Sequence, residues 1–500
     1  MESEALLDQL ASGLDGEIRA RVVGASEGNP LFLEEMAVLA QHRGTVEVPP
    51  TIQALLAARL EQLAIQEREV LERSAVEGEV FHRLAVRALA DARLAPEVEP
   101  RLAELVRKEL IRPHPATVDG DEAFRFRHLL IRDAAYDGVP KAVRAELHER
   151  FARWVELTAH DLVERDEIVG WHLEQAVRYQ RELGRSADRC ISHDAVAHLH
   201  AAGRHASQRA DTAAARNLLE RALELASDAS ARRARVAVDL ADELIVAGEL
   251  ARVDELLGDA ERDPSVAGTA TLLRLKWLMH ARHQQASPTI EAKLPALLEE
   301  FDRVGDHRGL AAAYMLAHDR HWLAGRAISS ARELKLAAEH AQKAGEGGLR
   351  SRALAEYVST QIYGPTHASV IAAELDRIER EGQGPYLQAF IAIGRSEVAR
   401  LECRLGEARD WALRAIDTFA SIRNVLESWG FEFLAAVAVA EDDLYRALEA
   451  RLRGDAIMMQ FGDDAYRSTG QATLAELYVR LGDPDAARKA IALSDKLTAP

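Results

Sequence analysis

"GRHASQRADTAAARNLLERALELA", residues 203–226, is the stretch that decides the fold. Its small residues Gly203, Ala206, Ala215 and Ala222 recur with the larger Leu219 at helical spacings, so paired helices can approach closely along one apolar seam. The next stretch repeats the pattern with Ala241, Leu244, Val253, Leu257 and Ala260, followed by Pro264. Ala241 stands 38 residues beyond Gly203. Self-similarity at such a period predicts stacked helix pairs, each burying its apolar face only on its neighbour.

Looser copies follow in "LAGRAISSARELKLAAEHAQKAGE" (323–346), "RLGEARDWALRAIDTFASI" (404–422) and "RLGDPDAARKAIALSDKL" (480–497). Each has a glycine turn entering an Ala-rich second helix. The small and large positions are those of a tetratricopeptide repeat, at a spacing somewhat longer than its roughly 34 residues. Residues 191–500 therefore read as a TPR-like array, with a helical connector over 141–190. The last unit reaches Pro500 without an evident polar capping helix, so the natural chain is expected to continue.

Upstream the texture changes. Residues 1–47 read as short helices that end in "QHRGTVEVPP" (41–50), where Gly44 and the Pro49–Pro50 pair break the helix. Over 48–140, "TIQALLAARLEQL" (51–63) puts Ile52, Leu55, Leu56, Leu60 and Leu63 on one helical face. Further helices are expected in "QEREVLERSAV" (66–76), "FHRLAVRALA" (81–90) and "EPRLAELVRKEL" (99–110). In "IRPHPATVDGDEAFRFRH" (111–128), Phe124 and Phe126 alternate with Arg125 and Arg127 beyond the turn-former "DGD", the period of a β-hairpin. Helices followed by a hairpin predict a winged helix.

Composition narrows the classes. Hydrophobic residues at 48% and charged residues at 29% are those of a soluble globular chain. A net charge of −18 repels phosphate backbones, so nucleic acid is not the expected partner of the chain as a whole. Two cysteines, Cys190 and Cys403, are too few for a disulfide framework and fit a reducing cytoplasm. "MESEALLDQL" (1–10) lacks the basic flank and apolar stretch of a signal peptide, and apolar runs such as "FLAAVAVA" (433–440) are far short of a membrane span.

Four segments, in order, carry a resemblance: "EGNPLFLEEM" (27–36), "VPPTIQALLAARLEQL" (48–63), "LVRKELIRP" (105–113) and "FRFRHLLIRDAAYDGVPKAVRAELHERFARWVE" (124–156). Together they resemble the C-terminal half of bacterial signal-transduction ATPases with numerous domains, the STAND-type NTPases of AAA-like build. The branch they look most like carries tetratricopeptide repeats and is often fused to a class III adenylate or guanylate cyclase, or to a LuxR-type DNA-binding domain. The resemblance implies a mainly α fold: ATPase lid helices, a winged helix with a small β-hairpin, then an α-solenoid. It also implies that Gly28 and Pro30 belong to the lid motif whose proline packs on adenine, and that His128 descends from the histidine that touches the β-phosphate of ADP. Plant and animal relatives follow that histidine with Asp; here Leu129 follows, and the next acid is Asp133.

No Gly-Lys dipeptide occurs anywhere, so the P-loop that would cradle phosphates is missing, and no Walker B pattern precedes the lid. ATP or ADP with magnesium is thus expected only in a full-length parent with an upstream ATPase core, and the chain alone is not expected to be an enzyme. The expected function is regulatory: the repeats bind a protein or small-molecule inducer and control an output domain outside the chain. The alternative is a scaffold that retains a degenerate ATPase remnant and touches no nucleotide.

Other chemistry-bearing residues have plainer readings. Arg101, Arg107, Lys108 and Arg112 are interrupted by Glu99, Glu104 and Glu109, a poor pattern for reading a DNA groove. His193, His198, His200 and His205 lack a cysteine or closely spaced carboxylate to complete a tetrahedral metal set, and are assigned to surface or inter-repeat packing. His318 and His321 in "HDRH" miss the zincin spacing and are placed on a helical surface. Glu34 and Glu35, adjacent on a helix, point apart and read as a solvated face.

Overall fold

A computed structural model describes residues 52–498, apart from 116–120, 160–161, 187, 210, 227–230, 248, 282, 382–383, 423 and 462–463. The chain divides into two compact units, Met1–Arg204 with Asn217–Val236, and His205–Arg216 with Ala237–Pro500. Gly28, Pro30, Glu34 and Glu35 lie outside the described residues.

The first unit opens with helices α1 (Ile52–Glu61) and α2 (Ile65–Glu77). Strand β1 (Val80–His82), α3 (Arg83–Leu89), α4 (Val98–Arg107), β2 (Ile111–His114) and β3 (Ala123–Phe126) follow. Strand β3 lies between the other two and antiparallel to both, giving the order β1-β3-β2. The expected hairpin is therefore present as β2 and β3, with Ile111 opposite Phe126. The helix expected to begin at Phe81 starts two residues later, because Phe81 and His82 are taken into β1, where Phe81 pairs with Phe124. With the third strand, the order from α2 onward is helix, strand, helix, helix, strand, strand. A short apolar core of Leu56, Val70, Leu71, Phe81, Leu105 and Phe126 holds sheet and helices together. Helix α4 stops where Glu109 adopts φ 57, which lets Leu110 N donate to Leu105 O at 3.1 Å and carries the chain into β2.

Helices α5 (Leu129–Gly138), α6 (Lys141–Thr158) and α7 (Arg165–Glu182) complete that unit's second core around Leu147, Phe151, Val169 and Leu173. Helices α8 (Arg189–Gln208), α9 (Thr212–Leu225), α10 (Ala231–Val246) and α11 (Val253–Ala260) come next. The residues of the opening stretch behave as their spacing demands. Ala206, Ala215, Leu219 and Ala222, then Ala241, Leu244, Val253, Leu257 and Ala260, are all at or below 1% exposure.

In the second unit the pairing continues through α12 (Ala267–Ala281) and α13 (His283–Val304), α14 (His307–Leu323) and α15 (Ala327–Lys343), and α16 (Gly347–Tyr363) and α17 (Ala368–Glu381). It ends with α18 (Pro385–Leu401) and α19 (Leu405–Ser421), α20 (Glu427–Ala440) and α21 (Leu444–Phe461), and α22 (Asp464–Arg480) and α23 (Pro484–Thr498). Each helix packs on the next, and the first helices of successive pairs, α12, α14, α16, α18 and α20, also touch in turn, so they form one layer. Among the described residues of this unit, six joints share one turn. A residue in the left-handed region, Gly305, Gly325, Gly345, Cys403, Asp442 or Gly482, lets the following amide reach back to close the helix. Examples are Arg326 N to His321 O at 2.8 Å and Arg404 N to Ala399 O at 2.8 Å.

Gly430 shows how closely adjacent helices approach. A Cβ there would lie 2.5 Å from Ile416 Cγ1 and 3.1 Å from Ile416 N on α19. Gly430→Ala is therefore expected to lower stability by about 1–3 kcal/mol, the usual effect of overpacking, read as a fall in the urea midpoint. An unchanged midpoint would mean that the two helices are not locked at this distance.

Candidate functional site

His128 stands two residues beyond the end of β3, at the residue before α5, in an extended conformation, φ −139 and ψ 143, and is half-buried. Its carbonyl accepts from Ile131 N at 3.0 Å. Asp133, the next acid, is held by its neighbour Arg132 at 3.0 Å. Among the basic residues considered for DNA, Arg101 pairs with Glu97 at 2.7 Å, Lys108 with Glu67 at 2.6 Å, and Arg107 with Glu104. Only Arg112 of the four stands exposed on β2 without such a pair.

The segment "FRHLLIRDAAY" ends in Tyr136, which opens a buried polar chain that the sequence reading missed. Tyr136 Oη lies 2.6 Å from His148 Nε2 on α6, and His148 Nδ1 lies 2.9 Å from His172 Nδ1 on α7. On the other side Tyr136 Oη lies 2.8 Å from Tyr179 Oη. Arg178 donates to Tyr179 Oη at 3.0 Å and Arg144 at 3.4 Å. One proton arrangement satisfies this series. The arginines donate to Tyr179, Tyr179 to Tyr136, Tyr136 to His148 Nε2, and His148 Nδ1–H to His172.

His148 is fully buried and His172 almost so, with the edge of Trp171 packed against both. Burial, aided by the nearby Arg132, Arg178 and Arg144, pushes His148 down to about 3. Burial and the neighbouring His148 hold His172 well below the ordinary histidine value. Burial, with the contact to Tyr179, raises Tyr136. For Tyr179 burial acts upward, but its hydrogen bonds with Tyr136, Arg144 and Arg178 outweigh it and lower the phenol. The chemistry available is that of a neutral strut tying α5 to α6 and α7.

Of the four clustered histidines, His198 corrects the expectation that no carboxylate attends them. Glu156 on α6 meets its Nε2 at 2.9 Å and Asp166 on α7 meets its Nδ1 at 2.8 Å. The bond to Asp166, resisted by burial and helped by Glu156, raises its affinity for a proton. Its role is helix-to-helix packing, as the spacing implied.

In the second unit, charge concentrates along the layer of first helices. Lys276 on α12 reaches Asp242 on α10 at 2.6 Å, and Arg308 on α14 holds Asp239 at 2.8 Å and Glu346 at 3.4 Å. Further along, His318 on α14 sits 5% exposed rather than on the helical surface expected of it. Its Nδ1 lies 2.6 Å from Ser330 Oγ on α15, and its Nε2 lies 3.0 Å from Glu356 Oε2 on α16 and 3.7 Å from Asp319 Oδ1. Arg352 donates to the other oxygen of Glu356 at 2.9 Å.

Burial acts upward on Glu356, but Arg352 and His318 overcome it and bring the carboxyl to about 2. Burial and the adjacent Glu356 push Asp319 up to about 6. Asp242 is drawn down as Lys276 outweighs its burial. Asp319 and Glu356 nonetheless keep 30% and 20% of their side-chain surface open to solvent. A separate pocket of about 420 Å³ lies between α15 and α16, lined by Arg332, Lys335, Tyr357, Thr360, Gln361 and Thr366 among others. Glu356 stands 38 residues beyond His318, the same offset as that from Gly203 to Ala241. Reading chemistry one repeat apart, rather than within one helix, would have found the pair.

No protein-family model matches this sequence, and no curated protein matches it. Among solved structures, the chain is similar to a Signal Transduction ATPase with Numerous Domains (STAND) protein with a tetratricopeptide repeat sensor from Pyrococcus horikoshii. That match has 14% identity and a TM-score of 0.57, over 99% of this chain and 71% of the other. The Cut9–Hcn1 hetero-tetramer of APC/C is similar at 10% identity and TM-score 0.44, over 99% and 97% of the two chains. The human IFIT1 dimer with PPP-AAAA is similar at 14% identity and TM-score 0.38, over the whole of both. Only the first score bears on architecture. It agrees with the helix-pair order described above: the chain has a mainly α fold of TPR-like helical repeats with a small three-stranded sheet near its start.

Proposed function

We propose that the chain is the regulatory and sensing portion of a nucleotide-dependent signal-transduction ATPase. The repeat array takes a protein or small-molecule inducer on its layer of first helices. Occupancy biases the winged helix and lid between a closed, ADP-like state and an open one, and an output domain outside these residues, a cyclase or a transcription factor, responds. Such coupling requires that the inducer bind the two states with different affinities.

The observation that carries the reading is the STAND protein with a tetratricopeptide repeat sensor, whose fold runs along 99% of this chain. Two details support it. The helix and strand order from α2 to β3 is compatible with a winged helix, and His128 stands just ahead of α5, between β3 and that helix. Because the 500 residues contain no P-loop, ATP or ADP with magnesium would be gripped by a separate ATPase core, and this chain alone would not hydrolyse ATP. A cytoplasmic site of action is part of the proposal; no helix among the described residues is long and apolar enough to cross a membrane.

Calorimetric titration of the chain with Mg-ADP and Mg-ATP tests the division of labour. No binding tighter than millimolar is expected. Micromolar affinity would overturn it, since a complete phosphate site would then lie within the chain. Reading the genomic DNA ahead of Met1 separates the proposal from the scaffold alternative. An in-frame P-loop supports the ATPase reading, and a stop codon behind an unrelated gene supports a scaffold.

A further inference from the structure

We propose that His318, Asp319 and Glu356 form a binding site for one divalent transition-metal ion, of the zinc type, on the layer of first helices. One candidate ligand atom from each of the three residues lies within 4.8 Å of the other two. A nitrogen and two carboxylate oxygens are a common donor set for such ions. At metal–ligand distances of roughly 2.0–2.2 Å, neighbouring ligand atoms sit roughly 3–3.5 Å apart. The spacings of 3.0 Å from His318 Nε2 to Glu356 and 3.7 Å to Asp319 bracket that range, so only small rotations of the carboxylates would close the set.

The surroundings fit as well. A metal-binding imidazole needs its other nitrogen fixed by a hydrogen bond, and the fully buried Ser330 hydroxyl lies 2.6 Å from His318 Nδ1. That hydroxyl serves both states. In the metal-free protein it donates to Nδ1 while Nε2–H donates to Glu356; with metal bound, Nδ1–H donates to it and Nε2 turns its lone pair to the ion. Arg352 steadies Glu356 through the oxygen that does not face His318.

Asp319 supplies the independent observation. Among the described residues no hydrogen-bond donor reaches its carboxylate; its one ion-pair partner there is His318, at 3.7 Å, and the carboxylate of Glu356 stands within 4.8 Å. The nearby Lys276 is already committed to Asp242. A carboxylate set against a second carboxylate with no donor of its own is relieved by a cation, and its partial exposure gives the ion a way in. The site joins α14 to α16 across one repeat and does not depend on the array's role in signalling.

The test uses the full chain at pH 7.5 without nucleotide. Calorimetry with zinc chloride, and the visible absorption of added cobalt chloride, are compared in wild type, Asp319→Asn and His318→Gln. One ion per chain is expected in wild type, with affinity at least about tenfold weaker and the cobalt band lost in each variant. Metal-free urea midpoints show whether the variants fold, and Asp319→Asn, which keeps the side-chain shape, decides if His318→Gln does not. Absence of zinc uptake by wild type overturns the proposal. So does uptake that both folded variants retain, which would place the ion on other histidines.

Discussion

Replacing His148 with Ala is expected to destabilise the first unit by about 3–5 kcal/mol, because it opens a cavity and strips partners from Tyr136 Oη and His172 Nδ1 together. The same residue should make stability depend on pH in a definite direction. The folded protein holds His148 at about 3, while an unfolded histidine titrates near 6.5. Above pH 6.5 both states are neutral and the full stability is present. As pH falls, the unfolded chain takes up protons that the folded chain refuses, so stability drains away down to about pH 3. The slope is about 1.4 kcal/mol per pH unit for each such histidine, or roughly 2–3 kcal/mol from His148 alone by pH 4.5. Urea unfolding of wild type, His148→Ala and His148→Phe at pH 7.5, and of wild type and His148→Phe also at pH 6, 5 and 4.5, checks both points. If the two proteins lose stability along parallel lines, the buried imidazole is not what makes the fold acid-sensitive.

Phe81→Ala should cost about as much, roughly 3–5 kcal/mol. Phe81 has no exposed surface, stacks on Phe124 with centroids 5.9 Å apart and meets Phe126 at 5.2 Å. It is the middle residue of a three-residue strand, so the substitution removes both a core side chain and the cross-strand contact that seats β1 on β3. Phe81→Leu keeps most of the volume and should cost well under half as much. The fall in urea midpoint for the two variants gives the ratio. Equal small losses would mean that the strand is held by its backbone pairing alone.

Phe81 also marks where reading the sequence stops working. The hairpin is legible because Phe124 and Phe126 alternate over a stretch bounded by a turn signal. "VFH" (80–82) is too short to show any period, and it becomes a strand only because a partner more than forty residues away lies beside it. The helix pairs are legible for the opposite reason: their small and large residues recur locally, and nearly all of those singled out are buried. The chemistry is less visible. His148 and His172 meet across two helices, and His318 meets Glu356 across one repeat, so no spacing within a single helix announces either pair. Of the positions implied by family resemblance, His128 is found where β3 meets α5, and Gly28 and Pro30 fall outside the described residues.

The shared turn at six joints has a wider implication. Since a left-handed residue turns the chain inside four of the pairs, at Gly325, Cys403, Asp442 and Gly482, each of those hairpins is closed by the same turn, whatever its side chains carry. Cys403 and Asp442 occupy that conformation without being glycine, which shows that the hinge tolerates substitution. The number of hairpins is thereby a free variable. A hairpin could be gained or lost, and the reach of the layer of first helices changed, without redesigning the turns inside the other hairpins.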